Sequence, residues 1–200
     1  RIIMKKSEIH IYQTPDPILS TICTPIPLEK ITIRETQNIL KEMSQALIES
    51  GDGVAIAAPQ VGYLVRIFVV AGNVIDTINN YHGEHTSPDK IFINPEIIKT
   101  SKSKKLMRGE GCLSVRFVYG ITERSTRVTV KACNEYGQEF IMEGTGLLAQ
   151  IFQHEIDHLN GVLFIDHAHD IRRMLPAEQS DYERQLKQMK NDRIQKINKM

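Results

Sequence analysis

The stretch GLLAQIFQHEIDHLNG, residues 146–161, constrains the fold more strongly than any other part of the chain. Its apolar side chains recur at the spacing of a helix, and glycine is common just after a helix C-terminus. The apolar positions are Leu147, Leu148, Ile151, Ile156 and Leu159. The pattern therefore predicts a helix that packs into the core, where polar side chains would need partners.

Two histidines lie four residues apart in this predicted helix, with a glutamate between them. His154 and His158 would share one face and lie close enough to bind one metal ion. Glu155 follows the first histidine and could take a proton from a water that the metal activates. The same letters also fit an exposed helix face that matches the motif by chance. The strong helix pattern around them favours the metal site.

A catalytic metal usually has a third protein ligand, for which the sequence offers two candidates. The histidine of the longer metzincin motif is excluded, because Phe164 occupies its position. Glu178 lies at a suitable distance for a thermolysin-like metallopeptidase. Cys112, in GEGCLSV, is flanked by glycines that permit close backbone approach, and a thiolate is a strong ligand. A lone cysteine is, however, most often a small buried core residue.

The other histidines give weaker signals. His167 and His169, in DHAHD, could form a second metal site, but an exposed strand end or helix entry is the commoner origin of such spacing. His10, His82 and His85 lie in polar surroundings, and we interpret all three as solvated.

Composition excludes several classes of function. The chain has 25 Lys and Arg against 24 Asp and Glu, which argues against a nucleic-acid binder or a polybasic membrane protein. There is no apolar run of membrane-spanning length and no signal-peptide pattern at the start, so we expect a cytoplasmic protein. Three cysteines are an odd number and do not suggest a framework of disulfide bonds, which favours a reducing compartment.

The remaining segments indicate an α+β fold. The sequence predicts a helix within residues 33–53 that ends at Gly51 to Gly53, a buried strand over 65–72, a long polar loop over 73–90, and a strand over 90–98 interrupted at Pro95. Residues 127–144 are typical of a β-hairpin that turns near Asn134 to Gly137. We expect one catalytic domain over residues 1–175, followed by a polar tail over 176–200 that is helical or frayed.

Besides the predicted helix and the segment around Cys112, the stretch GVAIAAPQVG, residues 53–62, also stands out. Its small residues permit close packing, and Pro59 fixes the backbone just before Gln60, whose amide could bind a substrate oxygen. A tight connector with a surface glutamine explains the segment equally well. Taken together and in this order, GVAIAAPQ, EGCLS and QHEIDHLNG resemble the peptide deformylase family over most of residues 10–170.

The resemblance implies roles for individual residues. Cys112, His154 and His158 would be the metal ligands, and Glu155 the general base and acid. The amide of Gln60 and the backbone N–H of Leu113 would donate hydrogen bonds to the oxyanion. Glu110 and Asp157 would orient the metal ligands. The implied fold is α+β, with antiparallel sheets wrapped around a central helix that carries the H-E-x-x-H motif.

The resemblance also implies an activity. The enzyme would hydrolyse the formyl group from N-formyl-methionine on nascent polypeptides and release formate. The implied cofactor is one divalent metal ion, Fe²⁺, which Zn²⁺, Ni²⁺ or Co²⁺ can replace; the partners are formyl-methionyl peptides and nascent chains at the ribosome. The methionine pocket should be apolar, with Val54, Ile56, Ile151 and Phe152 as candidates to line it.

The sequence departs from the family pattern in the substrate groove. Ala55 stands at a usual glycine, and its Cβ would crowd the strip along which substrate lies. Arg116 and Phe117 replace a usual proline and glycine, and Tyr119 aligns with an arginine of some members. Arg116 could replace that missing positive charge. These departures keep open a non-catalytic, deformylase-like binding protein, besides the metallopeptidase and a metal-free structural protein.

Overall fold

The computed structural model describes residues 9–81, 83 and 86–198, with side chains described as far as residue 191. Its helices are α1 (Arg34–Ser50), α2 (Gly72–Ile78), α3 (Gly146–Leu159) and α4 (Pro176–Asn198). Its strands are β1 (Ala55–Ala57), β2 (Ile67–Val70), β3 (Lys90–Thr100), β4 (Lys104–Cys112), β5 (Val115–Ser125), β6 (Arg127–Cys133), β7 (Glu139–Thr145) and β8 (His169–Arg173).

The strands form two antiparallel sheets. A five-stranded sheet has the order β1-β2-β3-β6-β7, and a three-stranded sheet has the order β4-β5-β8. All neighbouring strands in both sheets run antiparallel. The predicted α+β class with antiparallel sheets is therefore confirmed.

The predicted β-hairpin is formed by β6 and β7, which pair from Arg127 opposite Thr145 to Cys133 opposite Glu139. Its turn is closed by a backbone hydrogen bond of 3.0 Å from the N–H of Gly137 to the carbonyl of Asn134. Gly137 has a φ of +77°, a conformation that glycine adopts without steric cost. Turn chemistry in the sequence thus indicated the correct place for the turn.

Pro95 interrupts β3, as predicted. The pairing between β3 and β6 shifts register between Ile93 and Glu96, because proline has no N–H to donate to the ladder. Asn94, with a φ of +51°, turns its side-chain amide toward the N-terminal arm, residues 9–33 before α1. It makes two hydrogen bonds with the backbone of Ile26 in this arm, at 2.8 and 2.7 Å. The bulge therefore holds the arm on the sheet.

Helix α3 packs against strands of both sheets and against the aromatic centre of the core. The ring of Phe152 lies 5.2 Å from that of Phe92 and 6.1 Å from that of Phe68, while Phe68 and Phe92 stack at 4.4 Å. All three rings are fully buried. Burying aromatic side chains of this size fixes α3 firmly, so the polar residues on its other face have defined positions.

The polar stretch predicted as a long loop contains a helix, and that prediction was wrong. Helix α2 occupies its first part because Val74 is buried and Ile75 and Ile78 pack against the core. A helix of seven residues offers too few turns for its periodicity to stand out among polar neighbours. His82 and His85, interpreted as solvated, lie outside the described residues.

The polar segment after residue 175 forms α4, which packs against α1. Tyr182 and Leu186, one turn apart, are partly buried, whereas Met189 is 49% exposed. None of the helices in the described part of the chain combines the length and apolar character needed to span a bilayer.

Candidate metal and catalytic site

The three predicted ligands meet at one place. Helix α3 presents His154 and His158 from successive turns, and Cys112 ends β4 directly opposite. The ligating atoms of the three residues all lie within 4.8 Å of one another, and Cys112 Sγ is 3.2 Å from His158 Nε2. In the described part of the chain, this is the group of His, Cys, Asp and Glu side chains that could hold a metal ion.

The backbone around Cys112 is shaped by its neighbours. A Cβ added at Gly111 would come within 2.8 Å of the ring of Tyr119, so a larger residue there would require this ring to move. The N-terminal arm then fixes the turn between the strands, since Gln13 Nε2 donates to the carbonyl of Leu113 at 2.8 Å. The N–H of Thr14 donates to the carbonyl of Ser114 at 2.9 Å. The arm therefore helps to position Cys112.

Glu110 is the buried acid behind the site, and it orients His154. Its Oε1 lies 2.8 Å from His154 Nδ1 and accepts from Arg124 Nη2 at 2.6 Å. Its Oε2 accepts from Thr122 at 2.5 Å and from Gln150 at 2.9 Å. Burial alone would raise the pKa of Glu110, but the hydrogen bonds from His154 and Arg124 outweigh it and hold the pKa far below its usual range.

Arg124 extends this network to Asp157. Its Nη1 donates to Asp157 Oδ2 at 2.5 Å, and its side chain is only 6% exposed. The guanidinium of Arg124 therefore bridges Glu110, which contacts His154, and Asp157, which lies on α3 with the two histidines. Such partners hold the metal-binding side chains in place when a metal binds.

The residues present fit a metal ion. Nδ1 of His154 contacts Glu110, which leaves Nε2 as the atom that can ligate a metal ion. Burial, together with the charges of His154 and Arg124, lowers the pKa of His158 well below its usual value, so its imidazole is neutral as a ligand must be. His158 Nδ1 is buried without a hydrogen-bond partner among the described residues.

Glu155 is buried next to this group and lines the adjoining cavity. Its Oε2 also has no hydrogen-bond partner among the described residues. Burial raises the pKa of Glu155 to about 7, with the charge of His154 acting in the opposite direction. A carboxyl group with a pKa near neutrality suits general acid–base chemistry.

Gln60 lies behind Cys112, on a short 3-10 turn over Ala58–Val61. Its Oε1 accepts the N–H of Ala57 at 2.8 Å, which fixes the amide orientation. Its Nε2 then lies 3.1 Å from Ser114 Oγ and 3.5 Å from Cys112 Sγ. Both hydrogens of the amide are engaged in this way, so donation to a substrate oxygen requires that one of these contacts be exchanged.

A cavity of about 330 Å³ opens beside two of the three ligands, Cys112 and His154, which line it. Val54 and Ile151, two of the four predicted pocket residues, line it together with Leu147 and Gln150 of α3. The prediction was wrong for Ile56 and Phe152, which are fully buried in the core. Residues on β1 and α3 alternate between core and cavity, and the sequence alone did not tell which face each side chain takes.

Arg116 borders the cavity but does not provide a free positive charge. Its Nη1 donates to Asp52 Oδ2 at 2.7 Å, and the hydroxyl of Tyr182, from α4, donates to the same oxygen. Asp52 therefore neutralises the charge that we expected Arg116 to supply. Arg108 also lines the cavity and is exposed.

The alternative metal ligands considered from the sequence lie elsewhere. Glu178 begins α4, where it accepts from Arg172 and from the N–H of Leu175, so the metallopeptidase ligand set is wrong. His167 Nε2 lies 3.4 Å from Asp157, and His169 is exposed in β8.

The sequence did not indicate several contributors to the site. Thr122 lies two residues before Arg124 on β5, and strand alternation could have placed it on the same face, toward Glu110. Gln13, Asp52 and Tyr182 gave no local signal, because each acts across a large separation in the chain.

Comparisons with known proteins agree with this geometry. The sequence profile of the family described as polypeptide deformylase matches residues 9–174. A peptide deformylase from Halothermothrix orenii is 43% identical over 159 residues, which covers 79% of this chain and 92% of the relative. A peptide deformylase from Carboxydothermus hydrogenoformans is 41% identical over 162 residues, covering 79% and 91%.

Solved structures give the same result. A peptide deformylase from Synechococcus elongatus, in complex with actinonin, superposes with a TM-score of 0.71 at 31% identity and covers 84% of each chain. A class I type b peptide deformylase from Acinetobacter baumannii, bound to Met-Ala-Ser, superposes with a TM-score of 0.68 at 30% identity, covering 80% of this chain and 98% of that one. On the profile match, the relatives and the superpositions together, this chain belongs to the polypeptide deformylase family.

Proposed function

We propose that this protein is a metal-dependent peptide deformylase, which hydrolyses the formyl group of N-formyl-methionyl peptides and releases formate. The observation that carries the proposal is the meeting of Cys112, His154 and His158 beside the buried Glu155, at the edge of a cavity. A sulfur and two imidazoles leave one coordination position open, as hydrolysis requires.

We assign Cys112, His154 and His158 as the ligands of one divalent metal ion. When bound, the ion supplies an activated water and a Lewis acid for the formyl oxygen. Fe²⁺ is our proposal for the metal in the cell, with Zn²⁺, Ni²⁺ or Co²⁺ able to replace it. This donor set suits several of these ions, so the ligands alone do not select among them.

Glu155 carries the protons in this proposal. Its pKa near neutrality lets it accept a proton as water attacks the formyl carbon and then deliver it to the departing amine. The backbone N–H of Leu113 and the amide of Gln60 stabilise the developing negative charge on the formyl oxygen. One such donor is worth about 100- to 1,000-fold in rate.

The cavity provides a place for the substrate. Leu147 and Ile151, on the helix that carries the ligands, offer apolar contacts for a methionine side chain. Strand β1 lies at the edge of its sheet, and Ala55 on it lines the cavity. An extended peptide can hydrogen-bond to such a free edge.

The proposal has finer parts. Both sheets wrap around α3 as a central helix, and residues 1–175 form one catalytic unit. The substrate reaches the enzyme as the N-terminus of a nascent chain at the ribosome. A cytoplasmic location belongs to the same proposal, because nascent formylated chains are made there.

The test is formate release from formyl-Met-Ala-Ser, with acetyl-Met-Ala-Ser as the matched control. We expect the formyl peptide to be hydrolysed and the acetyl peptide to remain intact. Metal-loaded protein that bound the formyl peptide without releasing formate would instead be a deformylase-like binding protein.

A further inference from the structure

We propose that the C-terminal helix forms one wall of the substrate groove, and that Tyr182 on it restricts the size of the residue after the methionine. The inference rests on the proposed function and names a determinant of its substrate selection. The family match ends at residue 174, whereas α4 begins at Pro176, so this wall is built by an element beyond the matched region.

A three-residue contact ties α4 to the groove. Asp52 Oδ2 accepts hydrogen bonds from Arg116 of β5 and from Tyr182 of α4, residues 64 and 130 positions away in the chain. All three side chains line the cavity that also contains Cys112 and Glu155. Asp52 is held from two sides, so the ring of Tyr182 has a defined position over the groove.

Phe117 completes the wall. Its ring lies 6.3 Å from that of Tyr182 in an edge-to-face arrangement, and both rings line the cavity. Phe117 has a φ of +63°, which is unfavourable for a bulky side chain and commonest where function requires it. Its carbonyl accepts the N–H of Met174 at 2.8 Å, which anchors this backbone just before α4.

Helix α4 also packs closely on the loop that leads into β1. A Cβ added at Gly51 would come within 2.6 Å of Lys190 Cγ and 3.0 Å of Leu186 Cδ1. Gly51 has a φ of +83°, so glycine is favoured there for the backbone as well as for the contact. The helix is therefore held along two turns and not by Tyr182 alone.

Both apolar side chains of α3 and aromatic side chains of other elements line the cavity. Leu147, Gln150 and Ile151 of α3 provide the part suited to the methionine. Asp52, Phe117 and Tyr182 line the same cavity, and we place the residue after the methionine against them. The volume of about 330 Å³ is near the lower limit of ligand pockets. Two aromatic rings in so small a cavity should favour a small second residue over a large one.

The test compares formyl-Met-Ala-Ser with formyl-Met-Leu-Ser and uses the ratio of their kcat/KM values, which does not depend on the active fraction of a preparation. Wild-type protein should favour the alanine peptide by about tenfold, the order expected for a steric limit in an apolar pocket. Tyr182→Ala should remove most of this preference, chiefly through KM. Tyr182→Phe keeps the ring and should retain it, and so should Met189→Ala, an exposed position of the same helix. An unchanged ratio in Tyr182→Ala would overturn the inference.

A second measurement uses wild-type protein alone. Metal-loaded protein is irradiated with Met-photoleucine-Ser, in which the second residue carries the reactive group, and is then digested with trypsin. We expect label in the fragments 117–124 and 174–184, which contain Phe117 and Tyr182. Label confined to other fragments contradicts the wall. Failure of every formyl peptide to release formate would reject the proposed function instead, and the labelling result would still decide where this peptide lies.

Discussion

Glu110 Oε1 lies 2.8 Å from Nδ1 of His154, and this contact joins the two halves of the site. Glu110 comes from β4, two residues before Cys112, whereas His154 comes from α3. A carboxylate on the strand that carries Cys112 therefore sets the orientation of an imidazole on α3. The contact between Glu110 and His154 therefore helps to position the metal ligands relative to one another.

Replacing Glu110 with glutamine should weaken metal binding by about 10- to 100-fold, the usual effect of losing a partner that orients a histidine ligand. The amide is neutral, and only one of its two terminal atoms can accept hydrogen bonds. It therefore cannot serve the donors that reach Oε1 and those that reach Oε2 at the same time. Competition with a chromophoric chelator measures the change. Glu123→Gln on β5, whose carboxylate pairs with Lys104 on the surface, is the matched control. Equal metal affinity in Glu110→Gln and Glu123→Gln would contradict the role assigned to Glu110.

Glu155→Gln should bind one metal ion per chain and lose about 100- to 10,000-fold in kcat, because the proton carrier is removed while the ligands stay. The substitution preserves the volume of the buried side chain. Metal content and formate release are measured on the same sample. Should the variant lose its metal and recover full rate when metal is added, Glu155 would be a positioning residue and not the proton carrier.

Thiol reactivity should separate the three cysteines. Burial raises the pKa of Cys23 to about 11, and burial followed by the charge of Glu139 raises the pKa of Cys133. A raised thiol pKa means that little reactive thiolate is present at pH 8. Iodoacetamide should therefore label metal-free protein at Cys112, which borders the cavity, and metal-loaded protein at none of the three. Peptide mapping reports the sites, and equal labelling of Cys112 with and without metal would argue against it as a ligand.

Arg116→Ala should shift substrate preference toward a basic second residue. The substitution leaves Asp52 with no cation to balance it, and Asp52 Oδ1 is already buried without a partner among the described residues. Formyl-Met-Lys-Ser should then gain about threefold to tenfold over formyl-Met-Glu-Ser in kcat/KM, as expected for one partly screened charge. Adding Asp52→Asn should cancel the gain. Identical preferences in wild type and Arg116→Ala would show that this ion pair does not face the substrate.

The local parts of the fold could be predicted from the sequence. Helix α3 has long apolar faces, the β6–β7 hairpin has a turn with Asn134 and Gly137, and Pro95 marks the break in β3. Each is encoded within a few neighbouring residues, so no distant contact is needed to recognise it. Helix α2 was missed because its seven residues carry apolar contacts that become visible only once the core is formed.

The candidate site likewise has features that neighbouring residues indicate and features that depend on distant contacts. The spacing of His154 and His158 is local to one helix, whereas Cys112 was one of two candidates for the third ligand until the resemblance selected it. The pairing of Arg116 with Asp52 and Tyr182 depends on how β5 and α4 meet, and nothing near Arg116 indicates it. For that reason, the chemistry could be predicted from the sequence more fully than the shape of the groove.

The central claim is that a metal at Cys112, His154 and His158 makes this chain a deformylase. The most direct measurement is formate release from formyl-Met-Ala-Ser while Fe²⁺ is titrated anaerobically into metal-free protein. We predict that activity rises in proportion to bound metal and stops rising at about one ion per chain, the stoichiometry of a single catalytic site. Protein that binds one ion per chain and releases no formate, or that releases it equally without metal, would contradict the claim.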